Sequence, residues 1–145
     1  LEGGVYLFFL ALIGAVATDT FAYFIGRAFG KRKLIEEISP NKTVAGCVGG
    51  FVGSIAVLMI YGIVLWFTEA YRGLPLYHYA IIGAITGIVS QIGDLAASAI
   101  KRYAGIKDFG KIIPGHGGIL DRIDSYLFAI PVVYYYLLFC GIGGA

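Results

Sequence analysis

Four stretches of this chain, 4–29, 44–68, 78–101 and 118–139, stay mostly apolar for longer than a bilayer core is thick. Crossing that core as a helix takes about 20 residues. Hydrocarbon offers the backbone no partners, so a spanning segment of this length must bond within itself as a helix. The sequence therefore predicts an all-α integral membrane protein of about four transmembrane helices. The 14% of charged residues agrees, being far below the roughly 25% of soluble domains. The chain opens Leu-Glu-Gly-Gly, without an initiator Met or a cleavable leader pattern. It reads as one membrane domain, 1–145, taken from a longer polytopic protein. Cys47 and Cys140 sit in apolar runs without paired spacing. They read as buried small hydrophobes, not zinc ligands.

Against this background the charged residues are concentrated. The stretch 90–124 carries four of the nine acids and five of the eleven Lys/Arg. Asp94 precedes Lys101 by seven residues, about 10 Å of helix inside the basic end of the third span. Asp121 and Asp124 stand at i,i+3 on the fourth span, on one side and beside Arg122. In the first span Asp19, Tyr23 and Arg27 follow at steps of four and share a helix face. An Asp there would otherwise meet lipid, so the face is expected to turn toward a polar cavity.

The remaining elements read as scaffold. Gly46, Gly50 and Gly49, Gly53 form small-xxx-small pairs for close helix packing, and Gly83, Gly87 and Ser90 look like packing positions. Leu34, Ile35 and Ile38 give the 31–43 connector one apolar stripe, predicting a short interfacial helix that Ser39-Pro40 ends. Trp66, Tyr71 and His78 read as interfacial, with no partner evident for His78. Pro131 predicts a kink in the fourth span.

Orientation follows from counting basic residues between spans. The first connector has Arg27, Lys31, Arg32, Lys33 and Lys42, the second only Arg72, and the third Lys101, Arg102, Lys107 and Lys111. The first and third are then cytoplasmic, and Asp19, Asp94, Asp121 and Asp124 all fall in the cytoplasmic half, around a polar cavity on that side. Carboxylates ringed by Lys and Arg suit a metal–polyphosphate substrate. Mg²⁺ takes oxygen ligands, and the cations neutralise and stabilise phosphate charge. The chemistry points to a lipid phosphate enzyme. A channel or transporter also uses intramembrane Asp, although a basic ring suits an anion better than a cation path.

One run carries a resemblance. Ser98-x-x-Lys101-Arg102, Lys107-Asp108-Phe109-Gly110, Pro114-Gly115-His116-Gly117-Gly118 and Asp121-Arg122-x-Asp124 resemble, over 27 residues, the signature of the phosphatidate cytidylyltransferase (CDP-diacylglycerol synthase) family. Upstream, Asp19-x-x-Ala22-Tyr23-x-x-Gly26-Arg27, Gly30-Lys31 and Ser39-Pro40-Asn41-Lys42-Thr43 are similar to its first block, with Asn41 and Ala45 standing where many members have Lys and Glu. The resemblance covers about 18–139, the C-terminal half of a typical member.

It implies transfer of a cytidylyl group from CTP to phosphatidic acid, giving CDP-diacylglycerol and pyrophosphate. It also implies a multi-pass inner-membrane homodimer among membrane lipids, with Mg²⁺ as cofactor, one ion or two, and no nucleic acid partner. On that reading Asp94 and Asp121 ligate the metal, with Asp124 as a third ligand or orienting group. Lys101 and Arg122 serve catalysis, and with Arg27, Lys31, Lys42, Arg102 and Lys107 they take the phosphates. Asp19 and Asp108 belong to the substrate site, and Ser39, Thr43 and Ser98 are hydrogen-bond donors. His116 contacts phosphate or forms a structural turn. The Asp-Gly-x-x-Ala-Arg pattern of CDP-alcohol phosphotransferases is absent. A cytidylyltransferase for another lipid phosphate remains open.

Overall fold

A computed structural model of the chain describes residues 4–35, 37–106 and 119–142, without the side chains of 35, 39–41 and 119–124. Helices α1 (Gly4–Phe29), α2 (Val44–Phe67), α3 (Leu76–Tyr103) and α4 (Ile119–Phe139) carry the fold, and strands β1 (Lys33–Ile35) and β2 (Ser39–Thr43) join α1 to α2. The helix bounds fall within two residues of those expected. α1, α2 and α3 are each long and apolar enough to cross a membrane; in α4 the apolar stretch is Ser125–Phe139. Phe24, Val48, Ile60, Ile92 and Tyr135 are among many large apolar side chains left exposed. A soluble monomer rarely presents so much apolar surface, and the chain is a multi-pass membrane protein.

Close packing begins where the glycines predicted it. A Cβ at Gly46 would stand 2.7 Å from the Ala22 carbonyl oxygen and 3.2 Å from Gly26 Cα, so only glycine lets α1 and α2 approach this closely. Ser54, two turns further along the same face, ties in the third helix. Its Oγ donates to the Gly83 carbonyl at 2.9 Å and lies 3.0 Å from Thr86 Oγ1. Thr18 Oγ1 donates to the Gly14 carbonyl at 2.7 Å. Thr18, Ser54 and Thr86 come from three helices, are fully buried, and have all their polar atoms partnered. Toward one end of the bundle the contacts become apolar, through Leu10, Leu58, Leu74, Ile82 and Val133.

Three expectations are corrected. The 31–43 connector is an antiparallel hairpin, with Lys33 opposite Thr43 and Ile35 opposite Ser39, and not an interfacial helix. Its ends are stitched together, the Val44 N–H donating to the Arg32 carbonyl at 2.9 Å. A chain returning to its start within so few residues must reverse midway, and a helix this short is marginal on its own. Pro40 is tolerated because both strands of a two-stranded sheet are edges. Second, His78 does have a partner: it is buried, and its Nδ1 lies 2.8 Å from the Tyr136 hydroxyl on α4. Third, the cysteines are not buried. Cys140 is exposed in the turn just after α4, and Cys47 is half-buried on α2. α4 continues through Pro131 without ending.

The His78–Tyr136 bond joins α3 to α4 across the bundle. Tyr136→Phe leaves the ring in place and strands the imidazole. We expect a loss of about 1–3 kcal/mol, the cost of a buried polar group without its partner, measured as a lower thermal midpoint in detergent.

Candidate active site

The basic end of the bundle is assembled from the C-terminal turns of α1 and α3, the hairpin and the start of α2 and α4. Side chains alternate along β2. Thr43 therefore turns toward α1 while Lys42 turns the other way, toward α3. Thr43 is the N-cap of α2: its Oγ1 accepts the Gly46 N–H at 3.1 Å. The same hydroxyl lies where a Cβ on Gly26 would be only 2.9 Å away. This seats the end of the hairpin in the α1–α2 crossing and so delivers Lys42. The hydroxyl proton of Thr43 stays available to donate. Replacing Thr43 with Val should cost about 1 kcal/mol of stability, as for a lost cap, whereas Thr43→Ser should keep it; thermal unfolding of both variants checks this.

Lys42 pairs with Asp94 of α3, the two side chains being 20% and 30% exposed. Both are far enough from bulk water for the pair to matter, since a fully exposed ion pair contributes little. Asp19 on α1 accepts from Ser125 Oγ of α4 at 3.4 Å, and the charges of Asp94 and Lys42 reach it. Asp19, Lys42, Asp94 and Ser125 thus bring α1, α3, α4 and the hairpin to one place. One turn before Asp94, Gln91 Nε2 donates to the carbonyls of Cys47 at 3.0 Å and Gly87 at 2.8 Å, fastening α3 to α2 beneath the pair. Asp94, Ser98 and Lys101 follow at i, i+4 and i+7 on one face of α3, and Ser98 and Lys101 are half-buried there. Lys101 and Arg102 also complement the C-terminal dipole of α3.

Other expected residues stand further out. Arg27, Lys31 and Arg102 are exposed at this same end, and Arg27 Nη1 donates to the Tyr23 hydroxyl at 3.2 Å. Asp121, Arg122 and Asp124 lie in the first turns of α4, but their side chains, like that of Ser39, are outside the description. Lys107, Asp108 and His116 fall outside the described residues altogether. Gln91 and Ser125 were missed by sequence reasoning. Their signal was position alone, Gln91 one turn before Asp94 and Ser125 directly after Asp124.

Among the described residues no three His, Cys, Asp or Glu side chains gather as a ligand set. Those present near the pair, Asp19 and Asp94, are carboxylates, and Asp94 already accepts a cation at its oxygens. That donor chemistry fits a hard ion such as Mg²⁺.

Residues 1–140 match the cytidylyltransferase family. A phosphatidate cytidylyltransferase of Bacillus subtilis is 44% identical over 134 residues, 92% of this chain and 48% of that protein. One from Staphylococcus saprophyticus is 46% identical over 132 residues, 91% of this chain and 48% of that protein. An uncharacterized protein of Escherichia coli is 37% identical over 140 residues, 97% of this chain and 45% of that protein. The chain spans about half the length of the curated relatives it matches.

Proposed function

This chain belongs to the cytidylyltransferase family, and from that premise we propose that the whole protein transfers the cytidylyl group of CTP to phosphatidic acid. The products are CDP-diacylglycerol and pyrophosphate. The observation that carries this reading is the Lys42–Asp94 pair, set beside Asp19 at the end of an apolar bundle where Ser98, Lys101 and Arg102 lie. A carboxylate and an ammonium held together inside a membrane protein supply both halves of a phosphate–metal site.

A phosphatidate oxygen attacks the α-phosphorus of CTP in line. A new P–O bond forms there, the bond from the α-phosphorus to the oxygen bridging to the β-phosphorus breaks, and pyrophosphate leaves with that electron pair. The attacking phosphate is already ionised at neutral pH, so no side chain has to remove a proton. Asp94 and Asp121, with Asp124, would hold Mg²⁺, which supplies charge neutralisation on the triphosphate when bound. Lys42 moves from Asp94 to a phosphate oxygen, exchanging one anion for another. Lys101, Arg102, Arg122 and the cations of the hairpin side, Arg27 and Lys31, hold the remaining phosphate charge, and developing charge on the leaving group is stabilised by the same preorganised cations. Thr43 and Ser98 donate hydrogen bonds.

The excess of Lys and Arg at this end supports a site on the cytoplasmic side of the inner membrane. There a polar cavity between four spanning helices admits the nucleotide, and a homodimer is part of the same reading. The test is Mg²⁺-dependent turnover of CTP by the purified full-length protein, with and without phosphatidic acid. Release of pyrophosphate that requires the lipid and yields a CDP-lipid is the expected result. No turnover by folded, lipid-reconstituted protein with phosphatidic acid overturns the reading.

A further inference from the structure

The Lys42 ammonium is held against Asp94 Oδ2, the same carboxylate that the metal–phosphate reading gives to Mg²⁺. Two cations cannot share it on equal terms. An ion at either oxygen of Asp94 would stand beside the ammonium, and like charges that close repel strongly where water is partly excluded. Both side chains are shielded, at 20% and 30% exposure, so salt and solvent screen the repulsion less than at an open surface. Asp19, whose carboxylate feels the charges of both Lys42 and Asp94, adds a second negative charge nearby. The place favours a cation, and Lys42 is the one built in.

Lys42 can change partner without disturbing the fold. Its main chain is fixed, because the next residue, Thr43, caps α2 through the Gly46 N–H and packs where Gly26 has no side chain. Asp94 is fixed as well, within α3, where Gln91 one turn before it donates to the Cys47 carbonyl of α2 at 3.0 Å. Only the stem of the lysine has to turn, and it carries a compact charge with donors that rotate between acceptors.

We propose that Lys42 is an interlock between metal and nucleotide: it withholds Asp94 from a divalent ion until a triphosphate draws the ammonium away. The inference rests on the cytidylyltransferase reading above and adds that each ligand opens the site for the other. A phosphate chain offers Lys42 a new anion, and Asp94, losing its partner, becomes available to the ion. A metal-free triphosphate gains less, because taking Lys42 leaves Asp94 unpaired beside phosphate charge. Coupling between two binding events is reciprocal, so nucleotide and metal tighten each other by the same factor.

Binding reads this without turnover. Full-length protein in phosphatidylcholine nanodiscs, with phosphatidic acid left out, is titrated with Mn²⁺ followed by electron paramagnetic resonance, and separately with radiolabelled CTP in EDTA and in excess Mg²⁺. Lys42→Gln should bind Mn²⁺ alone severalfold more tightly than the unsubstituted protein. Arg102→Gln, which removes an exposed charge from the same end, should not, and Lys42→Arg, which keeps a cation opposite Asp94, should stay close to the unsubstituted protein. The factor by which Mg²⁺ tightens CTP should shrink in Lys42→Gln. Mn²⁺ affinity unchanged by Lys42→Gln, or raised equally by Arg102→Gln, overturns the inference. In the unsubstituted protein itself, CTP bound as tightly in EDTA as in Mg²⁺ overturns it too, whether or not the variants fold. Any of these results alongside lipid-dependent CTP turnover defeats the interlock and leaves the cytidylyltransferase reading standing. Absence of turnover with phosphatidic acid defeats that reading, and the interlock with it.

Discussion

Asp94→Asn in the full-length protein should reduce CTP turnover by at least the order of 10²–10³-fold, the loss typical when one preorganised electrostatic contact at a reacting centre is removed. The substitution preserves shape almost completely. It removes the negative charge that Lys42 now answers and a hard-oxygen ligand that a divalent ion would need. Two consequences separate a site role from a structural one. The Mg²⁺ concentration for half-maximal residual activity should rise, because the metal has lost a ligand. Thermal stability should fall by less than the full 3–5 kcal/mol associated with stranding a buried charge, because Lys42 is a fifth exposed and can turn toward water. Near-normal turnover with unchanged Mg²⁺ dependence would remove Asp94 from the site.

Gly46→Val should produce the largest loss of stability. The added Cβ alone would lie 2.7 Å from the Ala22 carbonyl oxygen and 3.2 Å from Gly26 Cα, and both are backbone atoms that no rotamer change can move aside. α1 and α2 would have to separate, which loosens the Thr43 cap on the Gly46 N–H and with it the support of Lys42. Overpacking typically costs about 1–3 kcal/mol and occasionally more; the upper end is expected here because the clash is between main chains. Val52→Ile, on the exposed side of the same helix, is the control and should change the thermal midpoint little. Equal midpoints for the two variants would show that the α1–α2 contact is not closely packed.

The sequence made the helices legible because hydrocarbon leaves the backbone so few alternatives. Apolar length alone located α1 to α4 within two residues. It also foretold the glycine contacts, since Gly46 and Gly50 sit at a spacing that only packing explains. Asp19 and Asp94 stood out as candidates because a carboxylate in an apolar run is costly and needs a reason, and the structure brings both close to Lys42. The hairpin was not. Leu34, Ile35 and Ile38 satisfy a helical stripe as well as they satisfy short strands, and what decided between them is the tertiary requirement that Val44 return to Arg32. The partner of His78 was equally hidden, for Tyr136 lies 58 residues away and nothing local marks it. Gln91 and Ser125 are polar residues of ordinary type, and their value lies in which helix faces meet.

The buried hydroxyls of Thr18, Ser54 and Thr86 also act as a depth gauge. Ser54 of α2 donates to the Gly83 carbonyl of α3 and reaches the Gly14 carbonyl of α1, whereas Thr18 and Thr86 donate within their own helices. Sliding α2 by a single residue, about 1.5 Å, would therefore take the Ser54 hydroxyl from its partners with no water to replace them. Everything nearer the basic end is therefore measured off from this level. Asp19 is the next residue after Thr18, and Asp94 stands eight residues beyond Thr86, about 12 Å along the helix. The distance of both carboxylates from this buried level is thus set by residue count. One residue inserted between Thr86 and Asp94 would shift Asp94 by about 1.5 Å and swing it by about 100°, away from Lys42.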